Sequence, residues 1–581
     1  MGSLFGFSGP PDIGLLGRID QVLRHRGGPD LFADESDGGS VGCRPMSGTG
    51  AGLGRCEGLC RDGETALALV GYLTNRAELD QPLLPGLLEM YRRQGPAFVQ
   101  NLRGAFILAV RDGLTWHLFR DGAGARTVYF GRHEGRFVFA VEPKGVLAMP
   151  GFPRRLRPGA VAQYLTFSFI PGPGTMLEDL AELPAGHRVM VREGGPPEVS
   201  RYFRFEDLDK EERSDGEWIE EFRLRFSRAV AERLPETEPL ACFLSGGIDS
   251  SIVAAEAARR HRRTVRTFSI HFGPDYPNEL EFARAVAQRV GTEHEEVEIR
   301  PHDFLPRLRR IIWHLDDPIG DPITVPNFEL SARVSRDLSW VINGEGGDPL
   351  FGGPKNIPML LHHWYGGIDP EPAFRERMYL ASYRRCYDDL DRMLTPEWRS
   401  RYDPGEDLIG ILTPFFEAPK PLTFLDKLQA INIRLKGAHL ILPKVDRMTG
   451  AWGLRQLAPL FDERLIELSF CMPPRLKLRR GVEKYVLKRA YDQDLPPEII
   501  ARPKSGMRVP VHFWFKGELK KYARHILSPK KIRRVGIFEP ERVRQLLDYD
   551  VEEGPGRYGL RLWMLVTFEV WRRIVIEGEA P

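Results

Sequence analysis

Across the first ~200 residues, short apolar runs alternate with glycine and polar breaks: Ala66–Val70, Ala105–Val110 and Arg136–Ala140 are the clearest. Runs of strand length, rich in branched and aromatic side chains, predict layered β structure, with a helix near Leu87–Gln94. A polar hinge, Glu206–Glu212, then opens a different rhythm. Trp218–Leu234 repeats apolar positions at helical spacing. It is followed by an apolar strand, Leu240–Leu244, and a helix that continues through Ile252–Ala255. Further elements are a strand at Val265–Ile270, a helix at Glu279–Val290, a strand at Glu295–Ile299 and another at Ser339–Ile342. Strands alternating with helices predict an α/β region built on a parallel, doubly wound sheet. Beyond roughly residue 360 the pattern is mainly helical, and no repeat of solenoid period is present.

The strand Leu240–Leu244 runs straight into Ser245-Gly246-Gly247-Ile248-Asp249-Ser250-Ser251. Strand, glycine turn and helix N-terminus in that order make a phosphate cradle. The two glycines let amide groups converge on an anion, the serines add hydroxyl donors, and the helix dipole favours negative charge. Asp249 is a carboxylate beside a polyphosphate, which calls for a divalent cation between them, and magnesium is implied. The spacing is not that of the lysine-bearing G-x-x-x-x-G-K-[ST] loop. In a parallel sheet the ligand sits at the carboxyl ends of the strands. ATP is therefore expected with its pyrophosphate on Ser245–Ser251 and its adenine against backbone near Leu244, Phe268 and Ser269. The strand ending at Ile342 leads into a second loop, Asn343-Gly344-Glu345-Gly346-Gly347-Asp348. If the two strands are neighbours, Asn343 and Gly344 join the nucleotide site and Asp249 and Asp348 can hold magnesium together. Glu345 is then a candidate general base.

Composition narrows the reading by exclusion. The chain of 581 residues exceeds a single core, and its 82 basic and 80 acidic residues leave a charge of +2, with no field that points to nucleic acid or membrane. The basic run Arg259–Arg263 closes the helix behind the cradle, where cations suit the dipole. Of the cysteines, Cys242 and Cys471 lie in apolar runs that predict buried thiols. Cys56 and Cys60 have no second pair at metal-ligand spacing. No apolar run approaches bilayer length and the start carries no signal peptide, so a cytosolic, reduced protein is expected.

In this order and spacing the motifs resemble those of the class B asparagine synthetases and related glutamine-dependent amidotransferases. His25-Arg26-Gly27-Gly28-Pro29-Asp30, Arg120-Asp121-Gly122-Ala123-Gly124 and Glu142-Pro143-Lys144 resemble three signatures of the first half. Ser245–Ser251, Gly344–Asp348, Leu442-Pro443-Lys444-Val445-Asp446-Arg447-Met448 and Arg502-Pro503-Lys504-Ser505-Gly506 resemble four of the second. The resemblance implies an N-terminal Ntn-hydrolase-like (glutaminase-like) αββα domain over residues 1–205. It also implies a PP-loop ATP pyrophosphatase (synthetase) domain with helical additions over 206–581.

The departures carry the functional inference. Gly2 stands where glutamine-using members have their cysteine nucleophile. Val70-Gly71-Tyr72 replaces Asn-Gly-Glu, and Arg103-Gly104 replaces Asp-Gly. A glutaminase lacking its nucleophile and both acids is expected to be silent, so the amine must come from elsewhere. Relatives without the nucleophile include β-lactam synthetases and lasso peptide cyclases. Gly352-Gly353-Pro354-Lys355 and Trp452-Gly453-Leu454-Arg455 look more like the cyclases, and Glu345 departs from the tyrosine of β-lactam synthetases. The resemblance therefore implies an ATP-dependent ligase that forms a macrolactam in a precursor peptide, working beside a leader peptidase and a leader-recognition protein. In it Lys504 stabilises developing negative charge. Lys484 is a second candidate, for phosphate or for a helix start, and Lys444 and Asp446 are either a structural ion pair or catalytic. Free ammonia or a small-molecule amine is the alternative nitrogen source.

Overall fold

The computed structural model describes residues 2–46, 57–193, 195–206, 208–352, 372–383, 385–418, 422–503, 508–549 and 557–581. Met1, Cys56, Asp207, Gly353–Lys355 and Lys504–Gly506, named above, lie outside the described residues.

The first half is two antiparallel sheets face to face. One has the order Leu180–Glu182, Tyr129–His133, Arg136–Ala140, Ser3–Ser8, Gly39–Arg44, Phe32–Ser36. The other runs Glu198–Arg201, His187–Val191, Thr115–Arg120, Gly104–Asp112, Thr65–Leu73, Gly58–Asp62. Alternation along each strand explains the layering. Leu4 and Val41 of one sheet meet Val70, Ile107 and Leu118 of the other. The opposite faces are covered by helices: Phe5 and Phe7 pack under Ile13–Leu23, and Leu67, Leu69 and Leu108 pack under Leu83–Gln94. The result is the αββα sandwich.

The second half is built on a five-stranded parallel sheet with the order Glu293–Glu298, Arg266–His271, Leu240–Phe243, Trp340–Ile342, Arg455–Leu457. Leu240 pairs with Trp340 and Cys242 with both Ile342 and Thr267, so the two glycine loops leave adjacent strands at one level. The elements fall within a few residues of expectation. The helix expected from Trp218 begins at Asp215, where Ser214 and Glu217 form a capping box. The fifth strand is a departure from the mainly helical reading beyond 360. It has three residues, carries Arg455 and Gln456, and is specified by Trp340–Ile342 beside it and not by an apolar run of its own. Cys242 is buried as expected, whereas Cys471 is half-buried at the end of its helix, Glu463–Cys471.

Two later elements matter for the site. Asn432–Ile441 is wound as a π-helix and continues without a break into the α-helix Leu442–Gly450. Among the described residues no helix is long and apolar enough to cross a membrane.

Candidate active site

The cradle folds locally as its residues dictate. Gly246 has φ +72°, and a Cβ there would lie 2.7 Å from Ala283 N and from Phe282 Cβ, so only glycine fits the turn. The helix Ile248–Arg260 begins immediately after Gly247. Ser250 Oγ donates to Gly247 O at 3.1 Å and lies 3.1 Å from Ser245 Oγ, and Ser245 N donates to Ser250 Oγ at 3.1 Å. Ser245 and Ser250 thus present hydroxyls at the mouth of the loop. Ser251 is fully buried and donates to Gly247 O at 2.8 Å, which ties the first helical turn together.

The second loop is pressed against the first. A Cβ on Gly344 would lie 2.5 Å from Ser250 N, and one on Gly347 would lie 2.0 Å from Asp249 Oδ1. Asn343 is buried, and its Oδ1 accepts from Glu345 N at 3.1 Å, which fixes the turn that presents Glu345. Between the loops lies a cavity of about 230 Å³. Its lining includes Leu244, Ser245, Asp249, Ser250, Phe268, Ser269, Asn343, Gly344, Glu345 and Asp348. Gly246, Gly247 and Ser251 shape the loop from behind. The structure thus brings most of the sequence-predicted nucleotide residues onto one cavity.

Lys484 stands at the junction of the two loops. It is fully buried, begins the helix Tyr485–Ala490 from a backbone with φ +56°, and sends Nζ to Asp249 Oδ2 at 2.5 Å and to Asp348 Oδ1. The two carboxylates therefore do converge, on an ammonium. A pair of carboxylates beside an open phosphate cradle fits magnesium, which binds through one or two carboxylates and completes its octahedron with phosphate oxygen and water. Among the described residues no group of three His, Cys, Asp or Glu side chains forms a metal cage. The protein would therefore supply Asp249 and Asp348 only.

Sequence reasoning missed a second wall. Glu279, Ile323, Asn327, Leu330, Ile441 and Val445 also line the cavity, from helices that carry no short motif. Glu279 accepts from Arg502 Nη2, while Arg502 Nη1 donates to Gly246 O at 3.3 Å and its guanidinium lies 3.9 Å from the Phe282 ring. Arg502 thereby ties the start of the Arg502–Gly506 segment to the cradle. Lys436, half-buried, has its ammonium pKa lowered by desolvation, partly offset by Asp348, Asp321 and Glu345. Lys444 Nζ donates to Asp321 Oδ2 at 3.1 Å, and burial with that partner makes it an ion pair beside the cavity. Asp446 faces away, toward the first half, and accepts from Arg26 Nη1 at 3.0 Å and Arg126 Nη1 at 3.1 Å.

The position of the missing nucleophile is filled. A Cβ on Gly2 would lie 2.7 Å from Arg44 O and 3.1 Å from both carboxylate oxygens of Glu57. Glu57 Oε1 accepts from Gly2 N at 3.3 Å and from Gly71 N at 2.8 Å. The void left there, lined by Gly2, Gly71, Arg126 and Asp446 among others, is about 10 Å³, enough for one water and far too small for an amino acid. Tyr72 and Arg103 have turned to the second half. Tyr72 Oη accepts from Arg233 Nε at 3.2 Å, and Arg103 lies 3.9 Å from carboxylate oxygens of Glu463 and Glu467.

Comparison with known proteins agrees with this geometry. The family model "Asparagine synthase" matches residues 221–573 and the "Glutamine amidotransferase domain" model matches residues 85–203. "Asparagine synthetase [glutamine-hydrolyzing] 1" of Bacillus subtilis is 26% identical over 609 residues, covering 97% of this chain and 94% of its own. "Amidase chyE" of Penicillium rubens is 24% identical over 519 residues, covering 78% of this chain and 76% of its own. A cradle and acidic loop on adjacent parallel strands, behind an αββα domain and matched over most of the chain, place this protein in the asparagine synthase family of ATP-dependent, AMP-forming carbon–nitrogen ligases.

Proposed function

We propose that this chain is a lasso peptide cyclase: it activates an Asp or Glu side-chain carboxylate of a precursor peptide with ATP and closes a macrolactam on the peptide's N-terminal amine. One observation carries the reading. The ATP cavity is equipped with Ser245, Asp249, Glu345, Asp348 and Lys484, whereas the pocket that would generate ammonia is a 10 Å³ void occupied by Glu57. A ligase without its own amine supply fits a substrate that brings both ends of the bond. We assign residues 1–205 to the degenerate glutaminase-like domain and 206–581 to the synthetase domain, with a leader peptidase and a leader-recognition protein as partners.

In this mechanism the substrate carboxylate attacks the α-phosphorus, pyrophosphate leaves, and an acyl-AMP forms. The amine then attacks the acyl carbon, its proton passes to Glu345, and AMP leaves with the carboxylate's former oxygen. Ser245, Ser250 and the amides around Gly247 hold the departing pyrophosphate, and Lys484 and Lys504 offset the negative charge that develops. Magnesium held by Asp249 and Asp348 would neutralise phosphate charge. Tethering amine and carboxylate in one molecule removes much of the entropy barrier. The test is mass spectrometry of a leaderless precursor incubated with the protein, ATP and magnesium. Loss of one water, abolished by Asp249→Ala, is expected. The second reading, amidation with free ammonia or a small amine, draws on relatives named asparagine synthetase, and ammonia-dependent asparagine formation without peptide cyclisation would replace the first.

A further inference from the structure

The first half, silent as an amine supplier, holds the second at one helix. In Leu442–Gly450 two consecutive residues point to opposite sites: Val445 lines the ATP cavity and Asp446 lines the void beside Gly2. Arg26 and Arg126 both hold the Asp446 carboxylate, and Arg26 is itself anchored on the buried Glu142. The Arg126 guanidinium lies 5.7 Å from the ring of Tyr72, the residue standing where a glutamine-binding acid is absent. Flanking contacts point the same way. Arg447 donates to Leu315 O and Tyr129 Oη, and Arg120 Nη2 donates to Ala438 O at 2.9 Å. Lys444, one residue before Val445, pairs with Asp321, two residues before Ile323 in the cavity wall.

A helix of nine residues has little stability of its own, so its roll about its axis is set by what grips it. A Cβ stands roughly 3 Å from the axis, and a roll of about 20° therefore moves it by about 1 Å. Errors of that size matter in a site that must align a nucleotide.

We propose that Arg126 and Arg26 are positioning residues of the ATP site, which act through Asp446 to fix the roll of Leu442–Gly450 and so the placement of Val445 and Lys444. The first domain then serves the ligation as a jig. The proposal rests on the reading that the cavity takes ATP and is independent of which carboxylate is activated.

The experiment is calorimetric titration of the full chain with α,β-methylene-ATP and magnesium, well below the melting temperature. Arg126→Met, Arg126→Lys, Val445→Ala and the Arg126→Met/Val445→Ala double variant are compared. Arg155→Ala, which breaks an exposed pair with Glu178 and Asp179, is the control. Arg126→Met is expected to weaken binding roughly 3- to 30-fold, Arg126→Lys to recover part of that, and the double variant to lose less than the product of the single losses. Should Arg126→Met fail to fold, Arg126→Lys, which keeps the charge and loses the fork, carries the same comparison with Val445→Ala. A lowered melting temperature with affinity within about twofold of wild type, or full additivity with Val445→Ala, assigns the cluster to stability alone and overturns the proposal. Wild-type protein that fails to bind the analogue overturns the ATP reading, and the proposal with it.

Discussion

Gly344→Ala tests whether the two loops must touch. The added methyl would sit 2.5 Å from Ser250 N and 2.7 Å from Asp249 C and Ser250 Cα, all backbone atoms of the first turn of the cradle helix. Ordinary contact begins near 3.4 Å, so about 0.9 Å must be found by moving one loop, since no side chain can rotate aside. Alanine lowers the entropy of the unfolded chain, a gain of about 0.4–1 kcal/mol, but overpacking costs about 1–3 kcal/mol. The net is a destabilisation of about 1–2 kcal/mol, read as a lower melting temperature. The functional effect is larger, because the displaced atoms carry Ser250 and Asp249: nucleotide affinity should fall about tenfold or more, and AMP formation by up to about 100-fold. Calorimetric titration with the magnesium complex of α,β-methylene-ATP, beside a thermal melt, separates the two. Gly17→Ala is the control, since Gly17 lies in the exposed part of the helix Ile13–Leu23 and a Cβ there meets nothing within 4 Å. A Gly344→Ala protein that binds nucleotide as wild type does would refute the claim that loop contact organises the site.

Lys484→Met removes the ammonium shared by Asp249 and Asp348, and breaking such a buried pair should cost about 3–5 kcal/mol of stability. Magnesium alone should raise the melting temperature of this variant more than that of wild type, and equal shifts would argue against the two carboxylates as a magnesium site. Glu463 is buried and desolvation, helped by Asp121, lifts its carboxyl to about 8. With the folded value above the unfolded one, the native state holds the extra proton between about pH 4.5 and 8. Stability should fall as pH rises through that window, by about 5 kcal/mol at most. Glu463→Gln should flatten the slope of melting temperature against pH between 5 and 8, measured by differential scanning fluorimetry; an unchanged slope would show that another group sets it. Gly2→Cys should not restore glutamine hydrolysis, assayed as glutamate release, because the new side chain meets Arg44 O and Glu57 and both recognition acids are still missing. Any glutaminase activity above background would overturn the account of the filled pocket.

The parallel sheet was legible because its strands are nearly all apolar and each ends in glycines. A run such as Leu240–Leu244 before Ser245-Gly246-Gly247 has few other solutions. The strand Arg455–Leu457 was illegible because its partner, not its sequence, makes it a strand. The same division runs through the site. Loop residues such as Ser245, Asp249, Glu345 and Asp348 announce themselves, since glycine-rich turns with charges have few structural uses. Asn327, Leu330, Ile441 and Val445 reach the cavity only because their helices are packed there, and on each helix they read as ordinary periodic positions. Glu57 in the vacated pocket has no local signal either: its role depends on Gly2 and Gly71, which are brought together by strand pairing.

The π-wound stretch Asn432–Ile441 sets the phase of everything after it. A π turn holds one residue more than an α turn, so losing a residue there would let the stretch close as ordinary α-helix and rotate the rest by about 100°. Val445 would leave the nucleotide wall and Asp446 would leave its arginines, both at once. Residue number in this stretch is therefore constrained more tightly than residue identity. Insertions and deletions in functional sequences of this type should be absent between Asn432 and Asp446 even where the side chains vary.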